Sequence, residues 1–296
     1  MLHNMGDDHP ESPSRISAIM TQLEQSGLLR QLEVYRAELA THEHLERVHT
    51  ATYLEQLHVM VPKQGRVFVD PDTALMPHTL RAAYLSAGAA VQAVDLVMSG
   101  KHQSAFCAMR PPGHHAERSK AMGFSFFNNV AVGVRHAMEQ YGVQRVAIID
   151  FDVHQGNGTV DIFQDDPNVM ICSSFQHPFY PYSHYFIQKP NVINSPIDAN
   201  TSGLEYRCIV EKDWLKPLQE HKPEIIFISA GFDGHKDDPM AELNLVEADY
   251  RWVTEMVMSV AREHAQGRVV SCLEGGYNLK ALACSVQAHL EAMIAG

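Results

Sequence analysis

The 296-residue sequence contains no C-x-x-C pair and no even set of cysteines. Its five thiols, Cys107, Cys172, Cys208, Cys272 and Cys284, are scattered along the chain. Such spacing supplies neither a thiolate metal site nor a redox pair, and it fits buried thiols in a reducing compartment. Positive charge is also scarce, with 23 Lys and Arg against 35 Asp and Glu and a formal net charge of -12. A protein of that sign is not drawn broadly to nucleic acid or to an anionic membrane. No apolar run reaches the roughly 20 residues that span a bilayer, and no charged-then-apolar leader opens the sequence. The expectation is a cytoplasmic protein without nucleic-acid or membrane partners. No Gly/Ser-rich or Pro-rich linker and no internal repeat divides the chain, so residues 1–296 are read as one domain.

What is present points to a packed α/β protein. Hydrophobic residues make up 45% and charged residues 20%, the balance of a globular chain rather than of a disordered one. Short apolar runs at 104–109, 145–150, 168–175, 224–230 and 268–273 read as buried strands. Between or beside them, 77–100, 128–142, 204–221 and 245–265 carry helical periodicity. Strands alternating with helices predict a parallel sheet covered on both faces. The region before residue 75 reads as mostly helical and loop-like, with "HPESPSR" at 9–15 opening a helix.

Four of the five expected strands run directly into polar clusters: "RPPGHHA", "DFDVHQGN", "GFDGHKDDP" and "EGGYN". In a parallel sheet such clusters meet on one rim, outside the carboxyl ends of the strands. Asp150, Asp152 and His154 alternate in an extended segment, so their side chains point the same way. Capping a following helix is one use for them, and holding a divalent metal is the other. Asp233 follows a second buried run. Asp152, His154 and Asp233 would make a three-ligand site with an open position, the arrangement of catalytic rather than structural zinc. Asp237 and Asp238 read as solvated loop charges.

The adjacent His114 and His115 sit on a loop stiffened by two prolines, as metal ligands or as a general base and acid. Other histidines, such as His58, His102 and His136, read as bystanders. Tyr277, after two glycines, offers a hydroxyl to a developing oxyanion, although most tyrosines serve packing. "GNGT" matches neither a P-loop nor a dinucleotide fingerprint.

Taken in order from residue 9 to 278, "HPESPSR", "RPPGHHA", "GFSFFNNVAV", "IDFDVHQGNGT", "SAGFDGHKDDP" and "LEGGYN" resemble the zinc-dependent histone deacetylase family, which includes acetylpolyamine amidohydrolases. The resemblance implies the arginase/deacetylase fold, a three-layer α/β structure with a mainly parallel sheet flanked by helices. It implies one zinc ion on Asp152, His154 and Asp233. His114 and His115 would be the tandem catalytic histidines, with Asp150 orienting the first and Asn157 adjoining the second, and Tyr277 would be the oxyanion donor. It further implies a structural potassium ion on Asp150, Asp152, His154 and Ser173. The substrate channel would involve Phe124, Tyr180, Gly123, Gly275 and, at its mouth, Met240.

The implied reaction is hydrolysis of the amide of N-acetyl-lysine or a related acylated amine by zinc-activated water. Asn157, where some members carry Asp, suggests the class II-like branch. Met240, where a carboxylate would welcome a polyamine, favours acyl-lysine or another uncharged-tail substrate. The first family strand is expected to be absent or shortened. An acetylpolyamine amidohydrolase, a non-catalytic acyl-lysine binder and an arginase-like dimetal hydrolase stand as alternatives, and a homo-oligomer is left open.

Overall fold

A computed structural model describes residues 2–6 and 8–295. A small antiparallel hairpin, β1 (Val67–Asp70) and β2 (Thr73–Leu75), stands apart from a six-stranded sheet. The sheet comprises β3 (Ser104–Cys107), β4 (Val146–Asp150), β5 (Val169–Gln176), β6 (Val192–Ile197), β7 (Ile225–Ala230) and β8 (Val269–Leu273). Their spatial order is β3-β8-β7-β4-β5-β6, and every neighbouring pair is parallel. All six carboxyl ends therefore open onto the same rim.

Helices cover both faces. On one side lie α2 (His42–Glu46), α3 (Ala51–Met60), α4 (Thr79–Met98), α5 (Asn129–Tyr141) and α6 (Asn157–Phe163); on the other lie α1 (Ser14–Gln25), α7 (Gly203–His221), α8 (Glu247–His264) and α9 (Leu279–Ala295). The alternation within β4 shows the division. Val146 and Ile148 pack into the first core, and Ala147 and Ile149 into the second. Because successive side chains point to opposite faces and both faces are dry, the strand reads as an unbroken apolar run.

All five expected strands form, within two residues of their expected ends. The sixth, β6, is the sequence "VINSPI" at the far edge. Its Pro196 argues against a central strand, and an edge is where the missing N–H is tolerated. The β1–β2 hairpin also lies within the stretch expected to be helical and loop-like. Among the described residues no strand precedes β1, so β3 forms the other edge. There residues 33–40 run without assigned secondary structure, and a largely apolar cavity of 790 Å³ lies between them, α4 and β3.

Three buried imidazoles are locked into this packing. On α9, His289 contacts Thr254 Oγ1 at 2.7 Å through Nδ1 and Ser271 Oγ at 2.9 Å through Nε2. Burial pushes it down to about 3, and burial likewise pushes His3 and His49 down to about 4. In the unfolded chain a histidine takes up its proton near ~6.5. As pH falls below that value the unfolded state binds protons that these folded rings refuse, and stability drops. Between pH 6.5 and 4, His289→Gln should therefore lose less stability than the wild type, as read by denaturant titration. Equal losses in the two proteins would show that His289 is not held neutral.

Candidate active site

The site grows from the carboxyl end of β4. Asp150 is the last residue of that strand, and the chain then carries Asp152 and His154 over the rim, where Asp233 arrives from the loop after β7. Asp152, His154 and Asp233 are buried, and each offers a ligand atom within 4.8 Å of the others. His154 Nδ1 lies 3.1 Å from Asp152 Oδ1 and 3.2 Å from Asp233 Oδ2.

Backbone N–H groups fix the remaining carboxylate oxygens. Asp152 Oδ1 accepts from His154 N at 2.8 Å, Asp152 Oδ2 from Gly275 N at 2.8 Å, and Asp233 Oδ1 from Val153 N at 3.0 Å. Asp233 Oδ2 is buried with no aligned donor. An orphaned carboxylate oxygen facing another carboxylate and an imidazole is a donor set that fits a divalent cation.

The electrostatics agree. Burial alone would lower the His154 pKa, but hydrogen bonds and charge from Asp152 and Asp233 outweigh it and hold the ring up at about 10. Burial and the Asp152 charge raise Asp233. Two carboxylates this close stay ionised together only with a positive partner. A proton on His154 serves in the protein alone, and a metal ion would take its place.

Beside the triad, the loop after β3 presents both expected histidines. Their rings are 4.0 Å apart, with His114 Nδ1 3.0 Å from Asp150 Oδ2 and His115 Nδ1 2.7 Å from Asn157 Oδ1. The amide of Asn157 is oriented by donation from Nδ2 to Glu117 Oε1 at 2.8 Å. Burial disfavours a charge on His114, yet the charges of Asp150, Asp152 and Glu274 raise it well above the ordinary histidine value. Burial and the neighbouring His114 and His154 push His115 well below that value.

Two further carboxylates belong to this region, and sequence reasoning gave neither a role. Glu274 Oε2 accepts from Gly113 N at 2.7 Å and His114 N at 3.1 Å, while Oε1 accepts from Ser229 Oγ at 3.1 Å. Burial raises Glu274 to about 7. Asp238, expected as a solvated charge, is instead buried and accepts three backbone N–H groups; its neighbour Asp237 is exposed. Burial and the charge of Asp233 raise Asp238 to about 6.

Tyr277 is half-buried, edge-on to Phe124 at 6.0 Å between ring centroids and under the Arg15 guanidinium at 5.0 Å. Tyr180 meets His115 edge-on at 5.2 Å, and its hydroxyl has no partner. Phe179, unremarked in the sequence, stacks on His154 at 5.4 Å. Met240 is partly exposed on the Asp238 loop. Ser173 sits opposite Asp150 in the β4–β5 register, its buried Oγ without a hydrogen-bond partner. The two expected channel glycines both lie against reactive groups. A Cβ on Gly123 would strike the His115 ring, and one on Gly275 would strike the carboxylates of Asp233 and Asp152.

An open parallel sheet, helix-covered on both faces, with a buried carboxylate and imidazole cluster on its carboxyl rim, defines an α/β protein with a candidate metal centre. The family described as "Histone deacetylase domain" matches residues 9–293, and the chain belongs to the histone deacetylase family. Histone deacetylase 14, chloroplastic, of Arabidopsis thaliana is 34% identical over 99% of this chain and 74% of its own length. A histone deacetylase-like amidohydrolase of Pseudomonas aeruginosa is 35% identical over 91% of this chain and 73% of its own. The crystal structure of the HDA15 HD domain superposes with a TM-score of 0.91 at 29% identity, covering 97% of this chain and 83% of that one. The fold is thus the arginase/deacetylase fold, and family membership supports a hydrolase of the deacetylase and amidohydrolase kind.

Gly275→Ala should displace the Asp152 and Asp233 carboxylates and, if these hold a divalent metal, weaken its binding by roughly 10- to 100-fold, the range seen when groups that orient ligands are disturbed. Competition against a chelator measures this. Unchanged affinity would show that metal, if bound, is held elsewhere.

Proposed function

We propose that the chain acts as a single-domain, zinc-dependent deacylase that hydrolyses the amide of N-acetyl-lysine or a related acylated amine. The observation that carries this reading is the convergence of Asp152, His154 and Asp233 within 4.8 Å beside two histidines with differently polarised rings. Asp152, His154 and Asp233 would hold the zinc. When bound, zinc supplies Lewis acidity toward the acyl carbonyl and lowers the pKa of water.

The remaining roles follow from hydrogen-bond direction. Asn157 Oδ1 accepts from His115, which fixes the proton on Nδ1 and leaves Nε2 with the lone pair of a general base. His114, charged through Asp150, holds a proton ready for the departing amine. The Tyr277 phenol, raised well above its ordinary value by burial, stays protonated and donates to the oxyanion. Phe124 and Tyr180 form apolar walls suited to an aliphatic stem. The unpartnered Ser173 Oγ beside Asp150 supports a potassium ion on Asp150, Asp152, His154 and Ser173.

Asn157 supports the class II-like branch. Met240 supports an uncharged acyl-lysine tail over a polyamine. Five unpaired thiols and, among the described residues, no helix long and apolar enough to cross a membrane accord with a cytoplasmic setting.

Tyr277→Phe should keep one zinc per chain and lose about a hundred- to a thousandfold in kcat on an acetyl-lysine peptide, the usual loss for one oxyanion donor. Near-full turnover would remove the tyrosine from the mechanism. Stripping metal with a chelator should abolish activity and zinc should restore it. Tight acyl-peptide binding without turnover in zinc-loaded protein would point to a binder instead. On a panel of acetylated substrates, acetyl-lysine peptides should outpace acetylputrescine and acetylspermidine. The reverse order would overturn the reading of Met240.

A further inference from the structure

The loop bearing Tyr277 is fastened to the loop bearing Asp233 by the carboxylate of Asp238, which lies outside the Asp152, His154 and Asp233 cluster. One oxygen of Asp238 accepts from Tyr277 N at 2.6 Å and from Asn278 N at 2.9 Å, and the other accepts from Met240 N at 3.0 Å. Asn278 adds a bond from Nδ2 to the backbone oxygen of Asp237 at 2.9 Å, and Phe232 N donates to Gly275 O at 3.0 Å. The two loops are joined along their length, with the carboxylate at the point where the phenol leaves the backbone.

Two successive N–H groups converging on one oxygen fix the backbone on both sides of the Tyr277 Cα. They also lie at the start of α9, whose first turn is capped by Asn278 Oδ1 accepting from Ala281 N at 3.0 Å. A charge-assisted acceptor is strongest at a helix N-terminus, where the amides are otherwise orphaned. Arg15 over the ring and Phe124 at its edge limit ring rotation, and Arg15 also donates from Nε to Gly276 O at 2.7 Å and from Nη2 to Glu274 O, which holds the carbonyls ahead of Tyr277 but not its amide. The bonds to the Tyr277 and Asn278 amides come from Asp238.

We propose that Asp238 is a positioning residue for Tyr277, setting where the phenol hydroxyl points without touching the reacting atoms. The inference rests on the reading of Tyr277 as the oxyanion donor. A displacement of about 1 Å in such a group costs on the order of a hundredfold in rate. Asp238→Asn keeps the shape but replaces one acceptor oxygen with an amide donor. That donor must then face either the Tyr277 and Asn278 amides or the Met240 amide.

The test is a double-mutant cycle in the zinc-loaded enzyme, using an acetyl-lysine peptide and a non-hydrolysable trifluoromethyl ketone analogue whose hydrate mimics the tetrahedral intermediate. Asp238→Asn should keep one zinc per chain, the wild-type melting transition and the wild-type KM, while kcat falls about ten- to a hundredfold. Affinity for the ketone should fall by the same factor as kcat/KM, because the lost interaction exists only with the tetrahedral form. Adding Tyr277→Phe to Asp238→Asn should cost no more than Tyr277→Phe alone. The exposed Asp237→Asn, which removes the same charge one residue away, should leave all of these values unchanged.

Multiplying losses in the double mutant, or ketone affinity unchanged while kcat falls, would overturn the proposal. So would wild-type kcat in Asp238→Asn. If that variant does not fold, Asp238→Glu, which keeps the charge but moves the acceptor by one methylene, takes its place in the cycle. Failure of both to fold would assign Asp238 to the fold and overturn the positioning role. A fully active Tyr277→Phe single mutant would instead break the functional reading, an outcome visible before Asp238 is considered.

Discussion

Everything at the rim depends on neutralising carboxylates that the fold has taken out of water. Asp150, Asp152, Asp233, Asp238 and Glu274 are all buried there. An isolated buried carboxylate is too costly to stay ionised, so each must find donors or positive charge. The protein divides the work. Asp238 and Glu274 are satisfied largely by backbone N–H groups, Asp150 by His114, and Asp152 and Asp233 share His154 while Asp233 Oδ2 has no aligned hydrogen-bond donor. That oxygen belongs to the Asp152, His154 and Asp233 cluster, whose donor atoms lie within 4.8 Å of one another and could hold a metal ion.

Such crowding of charge is sustainable because the sheet is wholly parallel. Parallel strands deliver all their carboxyl ends to one edge, and the loops that follow carry polar side chains over a base too dry to rearrange. β3 supplies the histidine loop, β4 the alternating acids, β7 Asp233 and β8 both Glu274 and Tyr277. The bond from Gly275 N to Asp152 Oδ2 shows how close these loops come, since any side chain at residue 275 would occupy the space of the Asp152 and Asp233 carboxylates. Glycine in "LEGGY" is therefore a requirement of the packing of these two carboxylates as much as of the turn.

The same logic explains what could be read from the sequence. Strands buried on both faces are unbroken apolar runs, so β3, β4, β5, β7 and β8 were legible, as were α4, α5, α7 and α8 through their period. β6 was hidden because an edge strand can carry Asn194, Ser195 and Pro196 without penalty, and the four-residue and three-residue strands of the hairpin are too short to establish a period. At the site, residues whose chemistry lies in their own side chains stood out: alternating acids after a strand, paired histidines, a tyrosine after two glycines. Asp238 and Glu274 did not, because their partners are main-chain N–H groups, which every residue but proline possesses and no spacing reveals. Asp238 even resembled a solvated charge, since its neighbour Asp237 is one.

The histidine pair shows how two identical side chains acquire opposite proton affinities. Both rings are buried, which by itself would empty both of protons. His114 faces a carboxylate and has Asp152 and Glu274 nearby, whereas His115 faces an amide and lies against two other imidazoles, and these surroundings move the two rings in opposite directions. Asp150 stabilises a positive ring, so His114 keeps its proton. Asn157 accepts a hydrogen bond but offers no charge, so burial and the positive neighbours His114, 4.0 Å away between ring centroids, and His154 outweigh the charge of Asp152 and hold the His115 pKa well below its ordinary value. Each ring thereby sharpens the other: a charged His114 makes a charged His115 more costly, and a neutral His115 leaves His114 as the sole claimant of the Asp150 charge. An aspartate at position 157 would erase part of that asymmetry, because it would set a negative charge beside His115 as Asp150 does beside His114.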